Sequence, residues 1–185
     1  MDNPSTTNSN KNETAQVPWY AAYPPPRNVA PSLSREELLQ WFQDERKRVG
    51  KDFVLVDLRR SDFETINTSV GEYIGGTIHG SLNLPAQSLY LAIPTLYSIL
   101  SQTQVRDVVW YCGIFFAGSS RGRGPRAAGW FADYLEEQGN TSIRSLVLEG
   151  GIKGWVSAGE EYTRSMDGIL PIRPDLEGLN MWQMD

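Results

Sequence analysis

The run Phe53-Val54-Leu55-Val56 has no polar residue until Asp57, and it constrains the fold more than any other feature of the chain. A strand this apolar must be covered on both faces, and such strands belong to parallel sheets sandwiched between helices. Val108-Val109-Trp110-Tyr111 repeats the pattern and closes on Cys112. Ser81-Leu82-Asn83-Leu84, ahead of Pro85, and Ser145 to Leu148 are two further strand candidates. Helical patterns lie between them. Ser34 and Glu37 have capping-box spacing, Leu38, Leu39 and Phe42 form an apolar stripe with Trp41 at its margin, and Gly50 is a natural stop. Leu89 to Leu100 reads as a helix that Pro94 interrupts or restarts. In PRAAGWFADYLEEQGN, Pro125 suits a first helical position, Ala128, Phe131 and Leu135 share a face, and Gly139 ends the helix. Gly150-Gly151 turns the chain into a short helix carrying Trp155. This alternation predicts an α/β domain with a largely parallel sheet.

The 185 residues, 40% of them hydrophobic, suffice for one domain. Residues 1–30 read as a disordered tail rich in Pro, Asn and Ser, with Tyr23-Pro24-Pro25-Pro26 as an extended linker. The domain is expected over 31–160, and 161–185 as a C-terminal extension. Seventeen basic against 22 acidic residues argue against nucleic acid as a partner. One cysteine and one histidine exclude a disulfide framework and leave too few ligands for a zinc centre, so no metal is expected. No apolar run approaches the roughly 20 residues that span a membrane. The polar N-terminus lacks the apolar core of a secretory signal, so a cytoplasmic protein with no membrane partner is expected. Oligomeric state leaves no mark in the sequence.

The stretch from Trp110 to Arg126 carries the chemistry. A buried strand delivers Cys112 to the carboxyl edge of the sheet, where open α/β sheets bind ligands. Gly113, Gly118, Gly122 and Gly124 punctuate the following loop, and a helix starts at its far end. Converging amides and the positive end of a helix cradle an anion. The same field, with nearby arginines, favours the nucleophilic thiolate.

Val56-Asp57-Leu58-Arg59, then Gly75-Gly76-Thr77-Ile78-His79-Gly80-Ser81-Leu82-Asn83-Leu84, then Leu148-Glu149-Gly150-Gly151-Ile152-Lys153-Gly154-Trp155 resemble the successive landmarks of a rhodanese domain. They fall in order over residues 33–160. The resemblance implies a five-stranded parallel sheet flanked by helices on both faces, with a reactive cysteine after the fourth strand. Arg123-Gly124-Pro125-Arg126 is similar to the end of the Cys-x5-Arg loop in the cell-division dual-specificity phosphatases and fungal arsenate reductases. That branch implies Cys112 and Arg123 as catalytic residues, with Gly118, Ser119, Ser120, Arg121 and Gly122 lining the oxyanion cradle. Asp57, Arg59 and Arg126 are candidate supporting residues. Asp57 would orient Arg59 or a loop amide, Arg59 would pair at the surface or hold the substrate, and one of Arg121 and Arg126 would assist anion capture while the other is a solvated helix-start residue.

Two departures stand out. Ten residues, Gly113 to Gly122, separate Cys112 from Arg123 where the branch has five, and removing Gly113 to Ala117 restores its spacing. Tyr111 stands where the branch has a histidine expected to help tune the thiolate. His79 and the aromatic residues Trp130, Phe131 and Tyr134 read as surface and helix packing. The resemblance implies a protein tyrosine or dual-specificity phosphatase acting through a phosphocysteine, on a phosphorylated substrate or small oxyanion. Alternatives are an arsenate reductase using an external thiol such as glutathione, and an inactive binding module. A sulfurtransferase fits less well, because its loop is shorter. No resident cofactor is implied, and family analogy adds a nuclear location.

Overall fold

The computed structural model describes residues 17–60, 76–113 and 122–168. In chain order these form β1 (Ser32–Leu33), α1 (Arg35–Gln43), β2 (Phe53–Asp57), β3 (Thr77–Ile78), β4 (Leu82–Asn83), α2 (Ala86–Leu100) and β5 (Asp107–Tyr111). They continue with α3 (Arg123–Glu137), β6 (Arg144–Leu148), α4 (Gly151–Val156), α5 (Glu160–Thr163) and β7 (Met166–Asp167). Five strands form one parallel sheet in the order β1-β6-β5-β2-β4. β2 and β5 lie in full register, from Phe53 opposite Asp107 to Asp57 opposite Tyr111. The expected α/β class, five-stranded parallel sheet and helices on both faces are all present.

Strand alternation divides the core. Val54, Val56, Val108, Trp110 and Cys112 face α2 and α3, which contribute Leu89, Ile93, Leu96, Ala127, Ala128 and Phe131. Phe53, Leu55, Val109 and Tyr111 face the other way, toward Leu38 and Leu39 of α1 and Ile152 and Trp155 of α4. β5 is the fourth strand of the sheet in chain order, so Cys112 follows the strand the resemblance indicated.

Local differences have local causes. The Ser34 hydroxyl caps α1 by accepting from the Glu37 amide at 3.1 Å, but the helix ends at Gln43, not near Gly50. Asp44 is extended, and its carboxylate accepts from the Arg46 amide and guanidinium, turning the chain out of the helix. Trp41 is buried, not marginal, packing edge-on against Phe53 beneath the Lys47 ammonium. Pro94 does not interrupt α2, which runs unbroken through it. Proline removes one rung of the helix, while Ala86, Leu89, Ile93, Leu96 and Leu100 are all buried along its length.

The expected tail boundary at residue 30 is also corrected. Residues 1–16 lie outside the described ones, but residues 17–30 form a strap packed on α2 and α3. The Trp130 indole donates to the Pro24 carbonyl at 2.8 Å. The Asp133 carboxylate accepts from the Arg27 amide, the Asn28 amide and Asn28 Nδ2, each at 2.8 Å. Gly129 makes room for this contact, since a Cβ there would lie 2.7 Å from the Asn28 carbonyl oxygen. Polyproline-like backbone makes no internal hydrogen bonds, so its carbonyls remain available to a neighbouring helix. Trp19 and Tyr23 meet Trp130 edge-on, and Tyr23 stacks on Tyr90 at 4.6 Å. At the other end, β7 pairs antiparallel with β3, which brings residues 161–168 of the expected extension into the fold. Among the described residues, no helix is long and apolar enough to cross a membrane.

Candidate active site

Cys112 directly follows β5, is 3% exposed, and lies on the α2/α3 face. Its carbonyl accepts from the Ile152 amide at 3.0 Å, and the Gly113 carbonyl accepts from the Lys153 amide at 3.2 Å. Gly150 and Gly151, with φ of 72° and 56°, bring the start of α4 against this segment. A Cβ at Gly151 would stand 2.4 Å from the Cys112 carbonyl oxygen. Only glycine combines that conformation with that approach.

The far end of the loop is held just as closely. Gly122 is the N-cap of α3 and Arg123 its first residue. Pro125 falls third in the helix, not first, where an amide would still lack an intrahelical partner. A Cβ at Gly124 would contact Val147 Cγ1 at 3.5 Å and the Trp110 carbonyl at 3.9 Å, so α3 starts close beside the end of β5. Both the cysteine and the positive end of α3 therefore sit at the carboxyl edge of the sheet. Gly118, Ser119, Ser120 and Arg121 lie outside the described residues.

Of the candidate supporting residues, Asp57 and Arg59 lie away from the cysteine's face of the sheet. Asp57 and Arg59, each 1% exposed, form a buried ion pair, so Arg59 is not at the surface. The Asp57 carboxylate accepts from the Arg59 amide at 3.0 Å, from Arg59 Nε at 2.9 Å and from Thr77 Oγ1 at 2.9 Å. Arg59 also donates to the Gly76 carbonyl. Asn83 Nδ2 donates to the carbonyls of Asp57 and Arg59, fixing the bend after β2. Arg126 lies across the Tyr20 ring, its guanidinium carbon 3.7 Å from the ring centroid.

Tyr111 belongs to the Asp57 side. Its hydroxyl lies 2.6 Å from Thr77 Oγ1, donates to Ser81 Oγ at 2.8 Å and accepts from the Ile78 amide at 3.2 Å. Burial, and then the Asp57 charge, hold this phenol well above the ordinary tyrosine value of 10.0. Sequence reasoning missed this cluster, although Thr77 and Ser81 fall inside the second landmark. His79 is exposed as expected and pairs with Asp167 at 2.8 Å, which holds that carboxyl below its usual range.

No family model matches the sequence. "Arsenical-resistance protein 2" of Saccharomyces cerevisiae is 32% identical over 106 residues, spanning 57% of this chain and 75% of that protein. The chain belongs to the rhodanese-like superfamily, in the branch of that protein. Among solved structures, Saccharomyces cerevisiae Ygr203w, a homolog of single-domain rhodanese and the Cdc25 phosphatase catalytic domain, superposes with a TM-score of 0.52 at 25% identity. That match covers 69% of this chain and 80% of Ygr203w. The As-Sb reductase of Leishmania major has the same fold, with a TM-score of 0.56 at 22% identity over 70% of this chain and 78% of its own. The rhodanese-like fold thus comes with one relative named for arsenical resistance and another described as a homolog of the Cdc25 phosphatase catalytic domain.

Proposed function

We propose that this chain is a cysteine-dependent oxyanion enzyme and that arsenate reduction by an external thiol is its activity. The observation that carries the reading is the placement of Cys112 at the carboxyl end of β5, beside the start of α3 at Arg123. In the proposed reaction the Cys112 thiolate attacks arsenic, a sulfur–arsenic bond forms, and a protonated oxygen departs as water. An external thiolate then attacks the Cys112 sulfur. The sulfur–arsenic electron pair passes to arsenic, which leaves as arsenite, and the mixed disulfide is opened by a second thiol. Cys112 is the only cysteine of the chain, so both reducing thiols come from outside, and glutathione is the natural choice. Arg123 and the amides of Gly118, Ser119, Ser120, Arg121 and Gly122 are the proposed cradle for the charged oxygens.

A phosphatase would share the first step and use water for the second, and the likeness to Ygr203w supports it as the second reading. Arsenate is favoured for a chemical reason. An alkyl phosphate needs a general acid for its leaving oxygen. Asp57, at the end of the strand beside β5, is committed to Arg59 and Thr77 on the opposite face. Arsenate carries its own proton.

The test is glutathione-dependent arsenite formation, expected for the native protein and reduced to background in Cys112→Ser. Equal rates in the two proteins would overturn the catalytic reading. Cys112-dependent hydrolysis of an aryl phosphate without arsenite formation would assign the phosphatase instead. Neither activity would leave a non-catalytic binding module.

A further inference from the structure

We infer that the groove between α2 and α3 is a recognition site for a proline run followed by arginine, filled by the chain's own strap until such a segment of a partner protein displaces it. The inference does not depend on the oxyanion reading. Tyr23, Pro24 and Pro25 each precede a proline, which biases all three toward extended backbone. A segment of this kind makes no internal hydrogen bonds and has little conformational freedom to lose, so it suits docking onto an aromatic surface.

The groove meets each part of that segment. The Trp130 indole donates to the Pro24 carbonyl at 2.8 Å, and the Tyr23 ring stacks on Tyr90. Gly129 leaves a seat for Pro26, since a Cβ at Gly129 would stand 2.7 Å from the Pro26 Cβ. Beyond the prolines the surface turns acidic. Arg27 Nη2 lies 2.8 Å from the Glu137 carboxylate and 4.0 Å from that of Glu136, and the Arg27 and Asn28 amides donate to Asp133. The Arg27 side chain is 61% exposed, so its ion pairs contribute direction more than affinity.

Two observations favour a partner over the strap of a second copy. A cavity of about 260 Å³ borders Pro24 and Pro25, with Tyr90 and Pro94 of α2 and Tyr134 of α3 in its walls. A strap exchanged from another copy would repeat the same contacts, leave the same space and lose the advantage of its tether. A partner segment with a larger apolar side chain at that place gains burial that the strap does not have. The strap can also yield, because it joins β1 through Val29, which is 91% exposed.

The experiment titrates a fluorescent peptide of residues 19–28 with the full chain and follows its anisotropy. Pro26→Ser with Arg27→Glu weakens the strap and leaves the groove intact, and this variant is expected to bind the peptide at least about tenfold tighter than the native chain does. If the variant does not unfold cooperatively, Arg27→Glu alone should shift the affinity the same way by about threefold. Adding Gly129→Ala should abolish binding by filling the proline seat, although alanine favours the helix itself. A peptide with Glu in place of Arg27 should bind about threefold weaker. On the native chain, a peptide with Leu in place of Pro25 should displace the strap more readily than the unmodified one. No binding to a folded strap variant, equal affinity for variant and native chain, or binding insensitive to Gly129→Ala or to the peptide's arginine would each overturn the inference. No advantage for the Leu peptide, or a native dimer abolished by Gly129→Ala, would overturn the partner assignment, the dimer giving the groove to a second copy.

Discussion

Tyr111 and Cys112 are neighbours in the chain on opposite faces of the sheet, and their surroundings differ sharply. On the Tyr111 side, Asp57, Arg59, Thr77 and Ser81 form a buried cluster with its charges paired and its hydroxyls bonded. On the Cys112 side, backbone sets the geometry: amides of α4 hold the carbonyls of Cys112 and Gly113, and α3 begins close by. The charged landmark residues at the end of β2 thus fasten the strand that bears the cysteine from the opposite face of the sheet.

The sharpest way to break this contrast is Asp57→Ala. It strands Arg59 without its counter-charge, and removing one partner of a buried pair costs about 3–5 kcal/mol. Urea unfolding should show a loss of that size. Gly151→Ala attacks the opposite side, forcing a Cβ into the Cys112 carbonyl at a positive φ. A cost of about 3 kcal/mol is expected, with loss of Cys112-dependent activity even where the protein remains folded. Tyr111→Phe is the mildest. Loss of its hydroxyl contacts should cost about 1–2 kcal/mol in the same unfolding experiment.

Tyr111 also gives the contrast a pH signature. A phenol held above 10.0 in the folded state keeps its proton there while the unfolded chain releases it. Its contribution is fully present below pH 10 and is lost as pH rises through the higher, folded value. Native stability should decline above about pH 10, and Tyr111→Phe should remove that part of the decline.

The core was legible in the sequence because its signals are local and periodic. β2, β5 and the buried face of α3 follow from apolar runs and helical spacing, and Cys112 at a strand end follows with them. The strap was not, because Trp19, Tyr20 and Tyr23 lie among prolines and polar residues with no period, and only the surface of α2 and α3 gives them a place to bury. β1 and β7 are two residues long, too short for a pattern. Arg59 reads as a surface charge until Asp57 is seen to bend back onto it. Tyr111 looked like a missing histidine, whereas strand alternation sends its side chain away from the cysteine. The end of α1 turns on the Asp44 carboxylate meeting Arg46, a contact that competes with helix continuation and has no apolar signature.

The two glycine contacts that bracket the segment between β5 and α3 have a consequence for its length. Gly151 fixes where the loop leaves β5, and Gly124 fixes where it rejoins the fold. With both ends anchored by the rest of the domain, the number of residues between them becomes nearly independent of global stability. Doubling a flexible loop adds only about 0.6 kcal/mol of closure entropy. A spacing longer than that of its branch is then inexpensive to fold, and under the proposed function its consequence falls on anion binding and not on stability.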